Sequence, residues 1–363
     1  MFPDKVSQAV LSHYDKLPPS AKPGIRSNGV REWTVLAGVV AVVDSSIVPL
    51  TIATGVKAMP DEIRKYSKGK IVHDMHAEIL ALRLFNLFLL EECQKLIEGK
   101  SEFVEKIGEK FKLRDEIKLV LYVSEPPCGD ASLAYSAKGE EGWEQEPQKK
   151  RQKVLRGRSF YGRIGEVRTK PGRSDSLITL SKSCSDKLCA KQELGLTNAL
   201  TAPLFPQNCF LDSIIVADGL KSDFDRCFGR IETNHQIKLQ FSSVKFQSGK
   251  PLTEDFEEVK KYSPSPLSAL KIVPSGTFQV LNNGVKNGSF VKGKPPKKGG
   301  ESIISNWNMA QTAKEIHKDS ASLKVGLTYH DYKTSFEQRQ RLKLKTRSQL
   351  QTWIPTLVDD FTL

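Results

Sequence analysis

The stretch HAEILALRLFNLFLLEECQKL, which begins at His76, constrains the fold of this chain more than any other segment. Alanine, leucine and glutamate favour a helix. Its apolar residues cover too much of the circumference for a helix with one exposed side. The pattern therefore predicts a helix at the centre of the molecule, with other elements packed around it. His76 and Glu78 fall in its first turn. Two distant motifs, PPCGD with Cys128 and SCSDK with Cys184, add thiols to this histidine. Any fold that uses the three together must bring three separate segments to the start of one buried helix.

A chain of 363 residues can bury a large core, as one elaborate domain or two. With 39% hydrophobic and 27% charged residues, it has the composition of a soluble globular protein. The longest apolar runs lie around Leu36 to Val43 and Leu84 to Leu90. Neither approaches the ~20 residues of a membrane span. An acid and a base occur early and no small-residue cleavage site follows an apolar run, so no secretory signal is expected. A soluble protein of the nucleus or cytoplasm is expected. The six cysteines, at 93, 128, 184, 189, 209 and 227, then read as thiols or metal ligands rather than a disulfide framework.

The net charge of +13 favours a polyanionic partner. The surplus is uneven: Lys149 to Arg173 holds ten Lys/Arg against one acid, and Lys261 to the end holds sixteen against seven.

Along the chain, residues 3–17 predict a short helix ending before Pro18. Residues 33–44, β-branched and apolar, predict a buried strand, and the segment leading to Thr54 and Gly55 a second, paired as a hairpin. IKLVLYVS (117–124) predicts a further strand. Phe210 to Val216 and Ile272 to Leu281 are later strand candidates. Helix starts are expected after PPCGD and at SCSDK, a surface loop over 137–157, and mainly helix in the last ~50 residues up to TWIP. FVKGKPPKKGG reads as a basic loop.

Zinc takes cysteine sulfur and histidine nitrogen in a near-tetrahedral set, and a catalytic site keeps one position for water. His76 and Cys128 supply two ligands. Cys184 and Cys189 compete as the third, and Cys184 is favoured because it opens a predicted helix after a Ser-rich strand end. Glu78 is suited to carry protons rather than to bind metal. HAE alone is a weak signal, and PCGD lacks the nearby second cysteine of the H-x-E…P-C-x-x-C pattern.

HAE, PPCGD, RTKPGRSDS and SCSDK, in this order, together with KPGIRSNGVREWTVLAGVVAVV and ATGVKAMP, resemble the tRNA-specific adenosine deaminases, in a fungal-like version, from about residue 8 to 361. These are relatives of the double-stranded-RNA adenosine deaminases. The resemblance implies an α/β fold, a cytidine-deaminase-like three-layer core with a mixed sheet, enlarged by C-terminal helices. It implies one catalytic domain over 1–363, with the deaminase-like core reaching about residue 220. It places the zinc ligands on His76, Cys128 and Cys184 and the proton shuttle on Glu78. The implied reaction is hydrolytic conversion to inosine of adenosine 37, immediately 3′ of the anticodon of alanine tRNA.

The resemblance also implies a buried inositol hexakisphosphate. Its cage falls on Lys187, Lys324, Tyr329, Lys333, Lys343, Trp353 and Asp359, with Arg83 as a polar neighbour. A cage arginine falls at Ala190 beside Lys191, a tyrosine at Arg339 and an asparagine at His73, and a Glu-Lys pair is missing before Pro355. Arg339, Arg341 and Lys345 are candidates to compensate. Lys57, Lys170, Arg173 and the basic segment 149–163 are the candidate RNA contacts. No double-stranded-RNA-binding domain is expected, so the catalytic domain itself must grip a folded RNA, acting as a monomer. The alternatives are a deaminase of duplex RNA or another tRNA position, and a non-catalytic RNA-binding protein on the same fold.

Overall fold

The computed structural model describes residues 1–137, 155–157, 160–170, 177–251, 261–316 and 326–363. At its centre is an eight-stranded mixed sheet. In chain order its strands are β1 (Leu36–Val43), β2 (Ser46–Thr54), β3 (Lys118–Val123), β4 (Ser213–Val216), β5 (Lys238–Phe241), β6 (Leu267–Ile272), β7 (Phe278–Asn282) and β8 (Val285–Lys286). Across the sheet they run β5-β4-β3-β1-β2-β6-β7-β8. The pairs β3–β4 and β4–β5 are parallel and the remainder antiparallel.

Valine and alanine make β1 a strand buried on both faces, because β-branched side chains fit the pleated surface. Asp44 takes the left-handed conformation, φ 52°, at the tight turn into β2. Side chains then alternate across the sheet. Leu36, Val40 and Val42 face a cluster with Val6, Val10 and Tyr14 of α1 (Phe2–Asp15). Ala37, Val39 and Ala41 face the main core with Leu80, Leu84 and Phe88 of α2 (Ala77–Glu98). The result is three layers, α1, sheet, and α2 with its companions. Each fully buried Leu or Phe of this core contributes roughly 1.5–3 kcal/mol.

The helix that begins at His76 lies where its composition places it, with Leu84, Phe85, Phe88, Leu89 and Leu90 all fully buried. Its outer side is covered by α5 (Asn306–Ile316), whose Met309, Ala310 and Ala313 join the main core. Between them in sequence lie α3 (Cys184–Leu194) and α4 (Lys221–Phe228), and after them α6 (Tyr329–Thr334) and α7 (Glu337–Gln349). No described helix is long and apolar enough to cross a membrane.

Two local expectations are revised and two unexpected elements are added. Ile272 to Leu281 is not one strand but the end of β6, a turn and β7, because Pro274, Ser275 and Gly276 (φ 72°) reverse the chain. The strand β5 (KLQF) and the helix α4 (KSDFDRCF) are too short for their patterns to stand out in sequence. Residues 350–363 are not helical but cross the surface as a strap. Along it, Leu357 N–H bonds Asp61 at 2.7 Å, Phe361 stacks on Tyr329, and Leu363 is buried.

Gly55 lets the short strand Val56–Ala58 pair with Asp74–His76. Its φ is +150°, and a Cβ there would stand 2.1 Å from the Met75 carbonyl oxygen. Gly55→Ala is therefore expected to lower stability by more than the ~1 kcal/mol of an ordinary glycine substitution. Urea unfolding reads this directly, and zinc content should fall in parallel because His76 moves with Met75.

Candidate active site

Three helix starts meet at one point. His76 ends the strand Asp74–His76 and caps α2. Cys128 precedes the single helical turn Asp130–Ser132. Cys184 is the first residue of α3, capped by Ser183, whose hydroxyl accepts the Asp186 N–H. The two thiol segments approach closely because Gly129, φ +108°, has no side chain; a Cβ there would lie 2.2 Å from Ser183 Oγ. Helix N-termini carry partial positive charge and stabilise thiolates. Here the Cys184 N–H points at Cys128 Sγ, 3.4 Å away.

The ligand atoms of His76, Cys128 and Cys184 lie within 4.8 Å of one another. His76 Nδ1 is 3.6 Å from Cys128 Sγ. A tetrahedral zinc at ordinary Zn–N and Zn–S lengths requires an N···S edge of about 3.6 Å. One imidazole and two thiols are borderline-soft donors that suit zinc rather than magnesium or calcium. The set fits a zinc ion with one position open. Glu78, in the first turn of α2, is 3% exposed and is not part of the ligand set. Its charge acts on both Lys170 and Cys184.

The two thiols respond oppositely to being together. A hydrogen bond from Cys184, with the charges of Lys170 and His76, draws Cys128 well below the usual thiol range. Burial and the neighbouring Cys128 push Cys184 up. Cys189 lies elsewhere on α3, its sulfur toward the Phe228 carbonyl and burial pushing it up to about 12. It is a core thiol, and the competition for third ligand ends with Cys184.

Lys170 does not lie on an outer RNA-facing loop as expected. It is 1% exposed, its Nζ lies against Cys184 Sγ and 3.6 Å from Cys128 Sγ, and it pairs with Asp74 at 3.5 Å. The backbone pulls it inward: Lys170 N–H bonds Ser181 O at 2.8 Å, setting the chain beside α3's entry. Lys57 is half-buried on the strand opposite Met75. Arg173 and most of the basic segment 149–163 lie outside the described residues.

Asp74 was not singled out in the sequence. It binds both Lys170 and Lys187. Burial opposes its ionisation, but these two cations outweigh burial and hold the carboxyl well below the usual range. Its signal was its place two residues before His76, on the same face of a strand.

Of the cage positions, Lys187 contacts Asp74 and Ser181. Arg83 donates to the Ile304 carbonyl and to Asn306 Oδ1 at 3.0 Å. Lys333 lies over the Tyr329 ring, and Trp353 faces Lys182 and Arg347. Asp359 is fully engaged with protein, accepting from Ser67 Oγ and Gly69 N–H and pairing with His73 Nε2 at 2.8 Å. It anchors the C-terminal strap. Lys324 lies outside the described residues. Among the three compensating candidates, Arg339 is half-buried, whereas Arg341 and Lys345 are exposed.

The model of the adenosine-deaminase (editase) domain matches residues 51–356. The chain belongs to this adenosine-deaminase family. It is 35% identical to the tRNA-specific adenosine deaminase 1 of Saccharomyces cerevisiae, over 98% of this chain and 94% of that protein. With the Schizosaccharomyces pombe protein of the same name it shares 35% identity over 98% and 95% of the two chains. The double-stranded RNA-specific editase Adar of Drosophila melanogaster is 26% identical over 56% of this chain and 32% of its own length. The metal cluster and Glu78 of this adenosine deaminase both fall inside the matched domain.

Glu78→Gln should keep zinc and fold but lose roughly 10²- to 10⁴-fold in deamination, the ordinary worth of a general acid–base group. Cys184→Ala should instead lose metal. Atomic absorption beside inosine release separates the two, and a zinc-free Glu78→Gln protein would contradict the division of roles.

Proposed function

We propose that this enzyme converts the adenosine immediately 3′ of the anticodon of alanine tRNA to inosine. The observation that carries the reading is the convergence of His76, Cys128 and Cys184 beside Glu78. It occurs in a chain alike, nearly end to end, to two fungal tRNA-specific adenosine deaminases. Zinc held by the three ligands supplies a Lewis acid that makes water nucleophilic near neutral pH. Glu78 takes the proton released as water adds to C6, delivers it to N1, and then serves the departing ammonia. Adenosine and water go in; inosine and ammonia come out. The anticodon loop lowers the cost of presenting the base, since its bases are unpaired. The reading takes 1–363 as one catalytic domain, supported by a main core that α2, α5, Tyr329 and Leu363 all share.

Mapping inosine in intact alanine tRNA, in its isolated anticodon stem-loop and in an alanine tRNA lacking that adenosine tests the substrate. Inosine at that one position of the intact tRNA is expected, with weaker reaction of the stem-loop. Inosine confined to the wobble base, or equal reaction of unrelated tRNAs, would reject the assignment.

The same reading includes inositol hexakisphosphate in the core. Support comes from a group of half-buried cations, Lys191, Lys333, Arg339, Lys343 and Arg347. Among the described residues none forms an ion pair with a carboxylate. Burial, then the charges of Arg347, Lys333 and Arg339, lowers Lys343 to about 8. Burial, Arg339 and Lys187 lower Lys191 to about 7. Lys191, next in sequence to the cage position at Ala190, donates to the Gly195 and Leu196 carbonyls. Such cations are costly to bury unpaired, and a hexakisphosphate offers enough acceptors to pair many of them at once.

The sign of the pH effect follows. In stripped protein these lysines bind fewer protons than in the unfolded chain between about 7 or 8 and the ordinary 10.5. Stripped protein should therefore gain stability as pH rises through that window. Added inositol hexakisphosphate, which favours the charged lysines, should abolish or reverse the gain. Melting curves from pH 7 to 10, with and without the compound, read it; an identical pH slope in both would remove the polyanion from the reading.

A further inference from the structure

Leu155 and Arg168 are joined by a parallel bridge, and of the described residues between them 160–166 lie at the surface. Arg168 is fully buried, and its guanidinium is used inside this segment. It donates to the carbonyls of Arg156 (3.4 Å), Gly157 (3.3 Å), Phe160 (3.0 Å) and Arg163 (2.7 Å). Its backbone N–H bonds Asp186 of α3 at 2.9 Å. The far side of the loop is tied down too: Gly165 N–H bonds Asp130 Oδ1 at 2.8 Å, two residues past Cys128. Lys170, two residues past Arg168, lies against both ligand sulfurs. One buried arginine therefore sets this surface loop relative to the metal ligands.

The loop holds Phe160 at φ 53°, a conformation that bulky side chains rarely adopt. Two donors on its carbonyl keep it there, Arg168 and the Arg163 N–H at 3.0 Å. The side chain is left 41% exposed, next to Ile164 at 57%. The exposed cation of the described tip, Arg163, is already bound by Glu166 at 2.8 Å. Among the described residues, the tip thus presents the Phe160 ring, and its exposed cation Arg163 is paired. Strain at a solvent-facing position points to function, and aromatic rings presented to single-stranded nucleic acid serve as stacking surfaces for bases.

We propose that Phe160 is a stacking platform for a nucleobase neighbouring the target adenosine, and that Arg168 is the residue that positions it. This rests on the tRNA-deaminase reading above. The test uses full-length, zinc-containing protein and intact alanine tRNA, with binding measured across a salt series and zinc content as control. Phe160→Ala should weaken binding roughly five- to 150-fold, the worth of one stacked base. The salt slope should not change, because no phosphate contact is lost. Phe160→Trp should restore affinity and Phe160→Leu should not. Arg168→Lys keeps a cation but cannot reach four carbonyls, and should show the same loss with zinc retained. Should that variant not fold, the Phe160 series decides alone. Native affinity in Phe160→Ala, a reduced salt slope, or rescue by leucine as good as by tryptophan would overturn the proposal. Native protein inactive on alanine tRNA would remove the substrate reading and this proposal with it. Native activity with an unaffected Phe160→Ala would remove this proposal alone.

Discussion

The buried carboxylate of Asp74 is the interaction on which the rest of the structure depends. It holds Lys170, which lies against the ligand sulfurs, and Lys187, which borders the cation group. An ionised carboxylate in the interior costs several kcal/mol unless paired, and so do the lysines. The three offset one another only if the strand before α2, the segment before α3 and α3 itself stand in register. Satisfying Asp74 therefore also aligns His76 with Cys184. The same contacts join the metal ligands and the half-buried cation group in one chain of charges.

The C-terminal strap is organised on the same principle. Asp359, Asp61 and the buried end at Leu363 fasten residues 350–363 across segments that lie some three hundred positions earlier in sequence. Trp353 and Asp359 both lie on that strap, and the Trp353 ring meets Lys182 and Arg347. The helices α6 and α7 reach the interior through Tyr329, Tyr332 and Thr346, and Lys333 of α6 joins Arg347 and Arg339 of α7 in acting on the charge of Lys343.

Much of the site was legible because its chemistry is written in residue types. A histidine at a helix start, a thiol after two prolines and a thiol after a serine cap are local signals, and each keeps its meaning when the chain folds. Hydrophobic patterning likewise located β1, β2, β3 and α2, whose side chains are buried whatever their partners. Short elements such as β5 and α4 escaped because four to eight residues repeat their pattern too few times to be read, although α4 buries Phe224 and Cys227 on one side.

The sequence by itself determined the chemistry of the metal set, the buried central helix and the excess of positive charge. Tertiary structure alone decided where each charge went. Lys170 reads as an exposed loop lysine until Asp74 and two thiols are placed around it. Asp359 reads as one member of a cage until Ser67, Gly69 and His73 are found to use its oxygens. Arg168 opens the RTKPGRSDS motif with no stated role, and becomes the support of a surface loop once four carbonyls converge on it. The physical reason is the same in each case. Apolar periodicity is a property of one segment, whereas the partner of a buried charge comes from a distant part of the chain, and only the folded molecule brings the two together.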